Sequence, residues 1–312
     1  MSRSAFVFPG QGSQSVGMLD AWGDHVAVRS TLAEASEALH FDIGRLIREG
    51  PKDQLDLTTH TQPAMLTAGI ACYRAWRAEG GAEPVVVAGH SLGEYTALVA
   101  ADALAFADAL PLVRFRAEAM QQAVPVGVGA MAAILGLEAE AVVAGCAEVA
   151  ESGREIVSAA NFNDPKQTVI AGTRAGVEAA CELLKSRGAK RALLLPVSAP
   201  FHSPLMKPAA ERLKERLAAT PLVAPRIPLV GNVDVAVHTD PQAIRQALYR
   251  QAFGPVRWVD GVHRMLQMGA TVIVECGPGK VLTGLSKRIA PQTASGAVFD
   301  PASLRDVQGM LA

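Results

Sequence analysis

A serine lies within the sequence Gly89-His90-Ser91-Leu92-Gly93, a G-x-S-x-G motif that follows a short apolar run and precedes an Ala- and Leu-rich stretch. Between a strand and a helix, this motif predicts a nucleophile elbow, a tight turn that holds the serine hydroxyl exposed. The N–H of Leu92, at the start of the helix, can then point at a developing oxyanion. The alternative is an ordinary strand-to-helix turn in which Ser91 caps the helix. We favour the nucleophile, because the motif and its flanks agree.

A serine nucleophile needs a base, and the chain has seven histidines. His90 is adjacent to Ser91, but neighbouring side chains on a sharp turn diverge. His202 lies between a predicted strand that ends at Val197 and a predicted helix that Ser203 caps. Strand-to-helix junctions of a parallel sheet gather at one end of the sheet, where sites form. We therefore interpret His202 as the base, the alternative being a surface or capping histidine.

The loop Pro9-Gly10-Gln11-Gly12-Ser13-Gln14-Ser15 also follows an apolar run. It is not a dinucleotide-binding fingerprint, because Ser15 occupies the place of the third glycine. A glycine loop beside the elbow can instead offer a second N–H to an oxyanion, and Gln11 would donate it.

Two arginines flank the apolar stripe of a helix predicted around residues 110–120. The stripe consists of Leu110, Val113, Ala117 and Met120. Arg114 and Arg116 each lie roughly 80° from its centre, at about 100° per residue. A guanidinium is the preferred bidentate partner of a buried carboxylate. The periodicity leaves the choice between the two arginines open.

The surrounding elements indicate an α/β protein. Residues 5–8, 85–88 and 271–274 are continuous apolar runs, which predicts strands buried on both faces of a parallel sheet. A helix is predicted over residues 64–79. Residues 129–197 have the order β-α-β-β-α-β of a ferredoxin-like unit, with a last strand at 192–197. The tail after Pro291 is weakly patterned, so no element is predicted there.

Composition excludes several classes of protein. Half of the 312 residues are hydrophobic, 19% are charged, and the formal net charge is −1. A disordered chain is therefore excluded, and the charge gives no reason to expect nucleic-acid binding. No apolar run approaches the roughly 18 residues of a membrane span, and residues 5–8 are too few for a secretory signal. The four cysteines lie far apart without a CxxC pair, so we expect no metal site and a cytoplasmic location.

Several motifs together resemble the malonyl-CoA:acyl carrier protein transacylase family of type II fatty-acid synthesis. They are Phe8-Pro9-Gly10-Gln11-Gly12-Ser13-Gln14, Gly89-His90-Ser91-Leu92-Gly93-Glu94-Tyr95, Asn161-Phe162-Asn163, the segment before His202, and Gly277-Pro278-Gly279-Lys280. The resemblance extends from residue 5 to about residue 290. It implies an α/β-hydrolase-like catalytic domain of residues 1–128 and 198–312, with an inserted ferredoxin-like subdomain of residues 129–197.

The resemblance also implies a role for individual residues. Ser91 would be the nucleophile and His202 its base, with the backbone N–H groups of Gln11 and Leu92 as the oxyanion hole. The backbone carbonyl of Gln251 would hold the histidine in place of a triad carboxylate; the alternative is that Gln251 is only a polar turn residue. Arg116 would bind the free carboxylate of the malonyl group, and Arg114 would be a solvated or snorkelling arginine.

The implied reaction moves a malonyl group from malonyl-CoA to the phosphopantetheine thiol of acyl carrier protein, through a malonyl-serine ester. Coenzyme A leaves, no metal or cofactor is required, and a monomer is the expected state. Phe201, before the base, would crowd an α-methyl branch, which favours malonyl over methylmalonyl. An acidic carrier protein would dock on a local basic surface, for which the candidates are Lys190, Arg191, Lys280, Lys287 and Arg288; solvated charge is the alternative.

Other functions share parts of this pattern. A serine esterase would have the same elbow and base but no use for a carboxylate-binding arginine. A carrier-binding subunit without activity would need neither Ser91 nor His202, and both are present. Within the same chemistry, the sequence does not distinguish fatty-acid synthesis from a polyketide pathway or from malonate decarboxylase.

Overall fold

Two β-sheets organise the chain in a computed structural model that describes residues 3–151 and 153–312. The predicted catalytic domain begins at residue 1, and the predicted subdomain contains Ser152; residues 1, 2 and 152 lie outside the described part. Among the described residues, no helix is both long enough and apolar enough to cross a membrane.

Nine strands occur in the described ranges. They are Ser4–Phe8 (β1), Val86–Gly89 (β2), Gly129–Leu135 (β3), Val157–Asp164 (β4), Gln167–Thr173 (β5), Arg191–Leu194 (β6), Leu229–Val230 (β7), Val272–Cys276 (β8) and Ala294–Val298 (β9). Five of them form a parallel sheet in the order β7-β2-β1-β8-β9, and four form an antiparallel sheet in the order β4-β5-β3-β6. The predicted α/β class, with a parallel sheet and a separate smaller one, is confirmed.

Helices connect and cover these strands. Those of the described residues are Val26–Leu39 (α1), Ile43–Glu49 (α2), Lys52–Leu55 (α3), Thr58–Ala78 (α4), Gly93–Ala100 (α5), Phe106–Gln122 (α6), Ala139–Glu151 (α7), Arg174–Ser186 (α8), Lys207–Ala219 (α9), Pro241–Phe253 (α10), Trp258–Gln267 (α11), Val281–Ile289 (α12) and Pro301–Leu311 (α13). Short 3₁₀ turns lie at Asp20–Trp22 and Pro204–Met206.

Strands β1, β2 and β8 of the parallel sheet are buried on both faces, as their continuous apolar sequences predict. All five residues of β1 are buried. Phe6 and Phe8 point to one face, where their rings lie 6.1 Å and 6.0 Å from the ring of Tyr73 on α4. Ala5 and Val7 point to the other face and pack in the cluster that includes residues of α11 and α12. When both faces of a strand are buried, apolar and polar residues do not alternate along it, and its sequence is a continuous apolar run.

The four-stranded sheet is built from consecutive elements β3, α7, β4, β5, α8 and β6, in the predicted β-α-β-β-α-β order. Helices α7 and α8 cover one of its faces through a core that includes Val142 and Val177. The other face carries Met131 and Val169. These two apolar side chains line a cavity shared with the parallel sheet. The predicted boundaries at residues 128/129 and 197/198 stay predictions.

Several predicted elements differ from the observed ones. Helix α4 begins at Thr58 rather than at residue 64, because Pro63 is accommodated inside the helix. The last subdomain strand ends at Leu194 and not at residue 197. The tail after Pro291 contains β9 and α13, and Asp300 begins α13 with a capping box.

Candidate active site

Ser91 lies on the tight turn between β2 and α5, in a strained backbone conformation. Its φ of 53° is in the left-handed region, which non-glycine residues rarely adopt. A Cβ at Gly89 would lie 1.9 Å from the Gly93 carbonyl, and a Cβ at Gly93 would lie 2.0 Å from the Phe8 carbonyl oxygen. Both positions therefore require glycine. The turn has the geometry of the predicted elbow, and Ser91 makes no side-chain cap to α5.

Asn232, after β7, braces this turn from the neighbouring strand. Its Oδ1 accepts from the Ser91 N–H at 2.7 Å, and its Nδ2 donates to the Gly89 carbonyl at 2.6 Å. These two hydrogen bonds, to the backbone on either side of His90, hold Ser91 in its strained conformation. Without such support, the backbone would relax.

His202 meets Ser91 from a segment 111 residues further along the chain. The Ser91 hydroxyl donates to His202 Nε2 at 2.6 Å. On the other side of the ring, Nδ1 donates to the backbone carbonyl oxygens of Gln251, at 2.9 Å, and Gly254, at 3.2 Å. Because carbonyl oxygens only accept, the proton of the neutral ring is on Nδ1 and Nε2 is the acceptor. The imidazole is thus in the tautomer that can take the serine proton.

His202 reaches Ser91, but not from the kind of junction predicted for it. Strand β6 belongs to the antiparallel sheet, so His202 does not lie at a strand-to-helix junction of the parallel sheet. It lies on the segment that returns from β6 and has a left-handed φ of 59°. Ser203 does not cap a helix either, because its hydroxyl donates to the Pro200 carbonyl at 2.7 Å.

Burial keeps His202 neutral. The side chain is 4% exposed, and this burial, together with the positive charge of Arg116, lowers the pKa of His202 to about 3. The hydrogen bonds to the Gln251 and Gly254 carbonyls act in the opposite direction and are outweighed. At neutral pH the ring is therefore unprotonated at Nε2 and available as a base.

Arg116 is buried beside Ser91 with uncharged hydrogen-bond partners. Its Nη1 donates to Gln62 Oε1 at 2.7 Å, and its Nη2 donates to Gln251 Oε1 at 3.0 Å and to Ser91 Oγ at 3.2 Å. The guanidinium carbon lies 5.5 Å from the Tyr95 ring centroid. The same burial lowers the pKa of Arg116. A guanidinium held only 2% exposed, among neutral acceptors, favours an anionic ligand.

The structure separates the two arginines that periodicity left equivalent. Arg114 is about two-fifths exposed, and it donates to Glu118 Oε1 and to the Leu39 carbonyl. Arg116 lies at the cavity, and Arg114 does not line it.

A cavity of about 720 Å³ brings the predicted residues together. Its lining includes Gln11, Ser91, Leu92, Arg116 and His202. Within residues 3–151 and 153–312, the backbone N–H groups of Gln11 and Leu92 donate to no protein acceptor. The Ser91 N–H, by contrast, is already bonded to Asn232. The two N–H groups are therefore available as donors, and their role as an oxyanion hole stays a prediction.

Gln251 contributes to the site twice, once more than predicted. Its backbone carbonyl accepts from His202, and its side-chain amide contacts Arg116. Sequence reasoning missed this second contact, and it missed Gln62 and Asn232 altogether. Neutral amides carry no spacing rule, and these three residues lie far apart in sequence, so no signal identified them.

The other predicted residues surround this centre. Phe201 lines the cavity, and His90 Nε2 is 2.8 Å from Asn163 Oδ1, so His90 is directed at the four-stranded sheet rather than at Ser91. All five basic candidates for a carrier surface are exposed, and Arg288 donates to Asp164 at 2.7 Å. In the described part of the chain, no cluster of three or more acidic, histidine or cysteine side chains is placed to hold a metal ion.

Comparisons with known proteins agree with this geometry. The family model for the acyl transferase domain matches residues 5–309. The malonyl CoA-acyl carrier protein transacylase of Escherichia coli strain K12 is 50% identical over 305 residues, which are 97% of this chain and 98% of that one.

Solved structures are similar over the same length. An acyl-carrier-protein S-malonyltransferase from Burkholderia pseudomallei 1710b superposes with a TM-score of 0.97 at 63% identity, covering 98% of this chain and 99% of that one. A malonyl-transacylase in complex with a type II PKS acyl-carrier protein superposes with a TM-score of 0.96 at 47% identity, covering 99% and 100%. This chain therefore belongs to the acyl transferase domain family, and within it to the malonyl CoA-acyl carrier protein transacylases.

Proposed function

We propose that this chain transfers the malonyl group of malonyl-CoA to the phosphopantetheine thiol of an acyl carrier protein, in fatty-acid biosynthesis, through an ester on Ser91. The observation that carries the proposal is the 2.6 Å contact between Ser91 Oγ and His202 Nε2, in a cavity whose one buried arginine contacts the same hydroxyl. The contact supports acyl transfer in general, and Arg116 supports an acyl group that ends in a carboxylate.

In the first half-reaction, Ser91 Oγ attacks the thioester carbonyl carbon of malonyl-CoA, and His202 Nε2 takes the hydroxyl proton. The tetrahedral oxyanion accepts hydrogen bonds from the backbone N–H groups of Gln11 and Leu92. The carbon–sulfur bond then breaks, and the proton on His202 goes to the departing coenzyme A sulfur. The malonyl-Ser91 ester and neutral His202 remain.

The second half-reaction uses the same groups in reverse. The thiol of the carrier's phosphopantetheine arm gives its proton to His202, and the sulfur attacks the ester carbonyl. The bond between carbon and Ser91 Oγ breaks, and His202 returns its proton to the serine. Throughout, the Gln251 carbonyl holds the imidazole by Nδ1, where a buried carboxylate would do so in a serine protease.

Arg116 selects the substrate by its free carboxylate. The malonyl carboxylate is a bidentate partner for a guanidinium that has only neutral partners in the free protein. Phe201 narrows the cavity next to His202 and disfavours an α-methyl branch, an effect worth about 1–3 kcal/mol per methyl group.

The carrier protein docks at the cavity mouth in this proposal. Arg288 and Val281 of α12 line the cavity, and Lys280 and Lys287 are exposed beside them. Lys190 and Arg191 present further positive charge on the four-stranded sheet. An acidic carrier would be steered by these groups, so reversing the charge of Lys287 should raise the Michaelis constant for the carrier alone.

One experiment separates a transferase from the rival esterase. The protein is loaded with malonyl-CoA, freed of excess substrate, and divided between holo carrier protein, carrier protein without the phosphopantetheine arm, and buffer. We expect intact-mass analysis to find the malonyl group moved to the holo carrier, and retained on the protein in the other two samples. Equal loss of the malonyl group in all three samples would identify a hydrolase.

Three features stay predictions. We expect a cytoplasmic monomer, which subcellular fractionation and light scattering would test. The division into residues 1–128 with 198–312 and residues 129–197 is the expected domain arrangement. The pathway, fatty-acid or polyketide, depends on which carrier protein accepts the malonyl group.

A further inference from the structure

The side-chain amide of Gln251 is fully hydrogen-bonded in one orientation. Its Nε2 donates to the Ser91 carbonyl at 2.8 Å and to Glu94 Oε2 at 2.9 Å, while its Oε1 accepts from Arg116 Nη2 at 3.0 Å. In the reversed orientation, the amide nitrogen would face the Arg116 donor and the amide oxygen would face two acceptors. Gln251 is completely buried, so water cannot satisfy those groups.

Glu94 is the acidic member of this arrangement and has no part in the proposed chemistry. It lies in the first turn of α5, is 2% exposed, and accepts its hydrogen bonds from amide N–H groups. Its Oε2 accepts from Gln251 Nε2 and also from the backbone N–H of Asn232, at 3.2 Å. Glu94 thus bonds both to the residue that holds Arg116 and to the residue that braces the elbow.

We infer that Glu94 is a positioning residue for substrate selection: together with the Ser91 carbonyl, it accepts from Gln251 Nε2, keeps the Gln251 amide oxygen directed at Arg116, and so fixes the guanidinium for the malonyl carboxylate. Glu94 acts through Gln251 and touches neither Ser91 Oγ nor the Arg116 guanidinium. The inference rests on the proposed function, because it explains how that function's selectivity is maintained.

A positioning role for Glu94 can be told apart from a purely structural role, because the two roles affect different substrates. The backbone carbonyl of Gln251, which holds His202, does not depend on the side-chain amide. Loss of the Glu94 acceptor should therefore affect Arg116 more than the serine–histidine pair. Malonyl transfer would fall further than transfer of an acyl group without a carboxylate.

The test compares Glu94→Met, which keeps the volume and removes the acceptor, with Glu94→Gln, whose amide oxygen can still accept from Gln251 and Asn232. The ratio of kcat/KM for malonyl-CoA to kcat/KM for acetyl-CoA is measured for each variant. We expect Glu94→Met to reduce this ratio about tenfold, with acetyl transfer reduced far less than malonyl transfer, and Glu94→Gln to restore most of it. A folded Glu94→Met protein with the wild-type ratio would overturn the inference, as would an equal loss for both substrates.

Glu275 offers a matched control, because it is a second fully buried glutamate and its carboxylate binds Thr283 rather than Gln251 or Asn232. Glu275→Met should lower the thermal midpoint and leave the substrate ratio unchanged. If Glu94→Met does not fold, Glu94→Asp retains the charge and retracts the acceptor by one methylene group, and the same fall in ratio is required of it.

Failure of this inference is distinguishable from failure of the proposed function. If the wild-type protein forms no malonyl ester on Ser91, the proposed function itself is wrong. If the wild type forms the ester and prefers malonyl-CoA, but the ratio does not respond to Glu94, only the role of Glu94 is wrong.

Discussion

Ser91 Oγ donates to His202 and at the same time accepts a hydrogen bond from Arg116 Nη2. The second contact stabilises negative charge on the serine oxygen as its proton leaves. In the proposed reaction, the same guanidinium binds the free carboxylate of malonyl-CoA. At the scale of single residues, Arg116 can therefore serve both the nucleophile and the substrate.

Replacing Arg116 tests its proposed contact with the malonyl carboxylate. In Arg116→Ala we expect kcat/KM for malonyl-CoA to fall roughly 100-fold, the effect of leaving a buried carboxylate without its charged partner, and kcat/KM for acetyl-CoA to fall far less. Steady-state kinetics with both substrates measure the change. Arg114→Ala is the matched control on the same helix, and its preference should equal that of the wild type. A malonyl preference that survives in Arg116→Ala would contradict the role of this arginine.

The protonation of His202 is open to direct measurement. Because burial and Arg116 lower its pKa to about 3, the ring should remain neutral throughout the range from pH 5 to pH 8. We expect the NMR signals of the His202 ring to stay constant over this range, with the proton on Nδ1. His202→Ala assigns the signals. A titration with a midpoint near the ordinary histidine value of about 6.5 would show that the ring is not held as described.

At the scale of elements, the elbow depends on how closely β1, β2 and α5 approach one another. The N-terminus of α5 packs against the end of β1, and Gly93 leaves space for the Phe8 carbonyl. The continuous apolar strands and the glycines at the turn are local features, and they allowed the sheet and the elbow to be predicted from sequence.

Two helical glycines give a prediction at this scale. Gly93→Ala places a Cβ 2.0 Å from the Phe8 carbonyl oxygen, so we expect a loss of about 3 kcal/mol in unfolding free energy and slower acylation of Ser91. Gly261→Ala, inside α11, has no heavy atom within 4 Å of its new Cβ and should stabilise the protein by about 0.5–1 kcal/mol. Chemical denaturation measures both; equal effects would contradict the packing described.

The elements missed from sequence lacked such local signals. Strand β9 lies at the edge of the parallel sheet with only its last two residues buried, so its apolar pattern is weak. The start of α4 was obscured by Pro63, which usually ends a helix. Within the site, the pairing of Ser91 with His202 was expected from motif and resemblance, and the two side chains are in contact. Gln62 and Asn232 could not be predicted, because only the folded chain brings their amides to the elbow.

At the scale of the whole molecule, a titrating group in the site, Glu94, makes the unfolding free energy depend on pH. Burial raises the pKa of Glu94 from 4.5 to about 7, so the folded state prefers the protonated carboxyl. Any stability that this preference gives is fully present below about pH 4.5 and is lost as the pH rises through 7. Above about pH 7, the ionised Glu94 carboxylate therefore lowers the unfolding free energy of the protein, although Glu94 helps to position Arg116 through Gln251.

Glu94→Gln removes this dependence, since its amide is neutral at every pH. We expect the variant to gain unfolding free energy relative to the wild type on going from pH 5 to pH 8, by about 2–3 kcal/mol at most. Denaturant titrations of both proteins at the two pH values measure the difference. The control is Glu49→Gln, at an exposed carboxylate whose pKa is lowered by Arg48 and Arg45. A difference for Glu94→Gln that did not change with pH would show that the buried carboxyl does not titrate in this range.

The most direct test of the account is the site of the covalent bond. The protein is mixed with malonyl-CoA, quenched in acid, digested, and its peptides are analysed by mass spectrometry, beside Ser91→Ala and Ser203→Ala. We predict one malonyl group on the peptide that contains Ser91, an unlabelled Ser91→Ala protein, and full labelling of Ser203→Ala. A malonyl group carried by any other residue, or retained in Ser91→Ala, would contradict the central claim that this serine is the nucleophile.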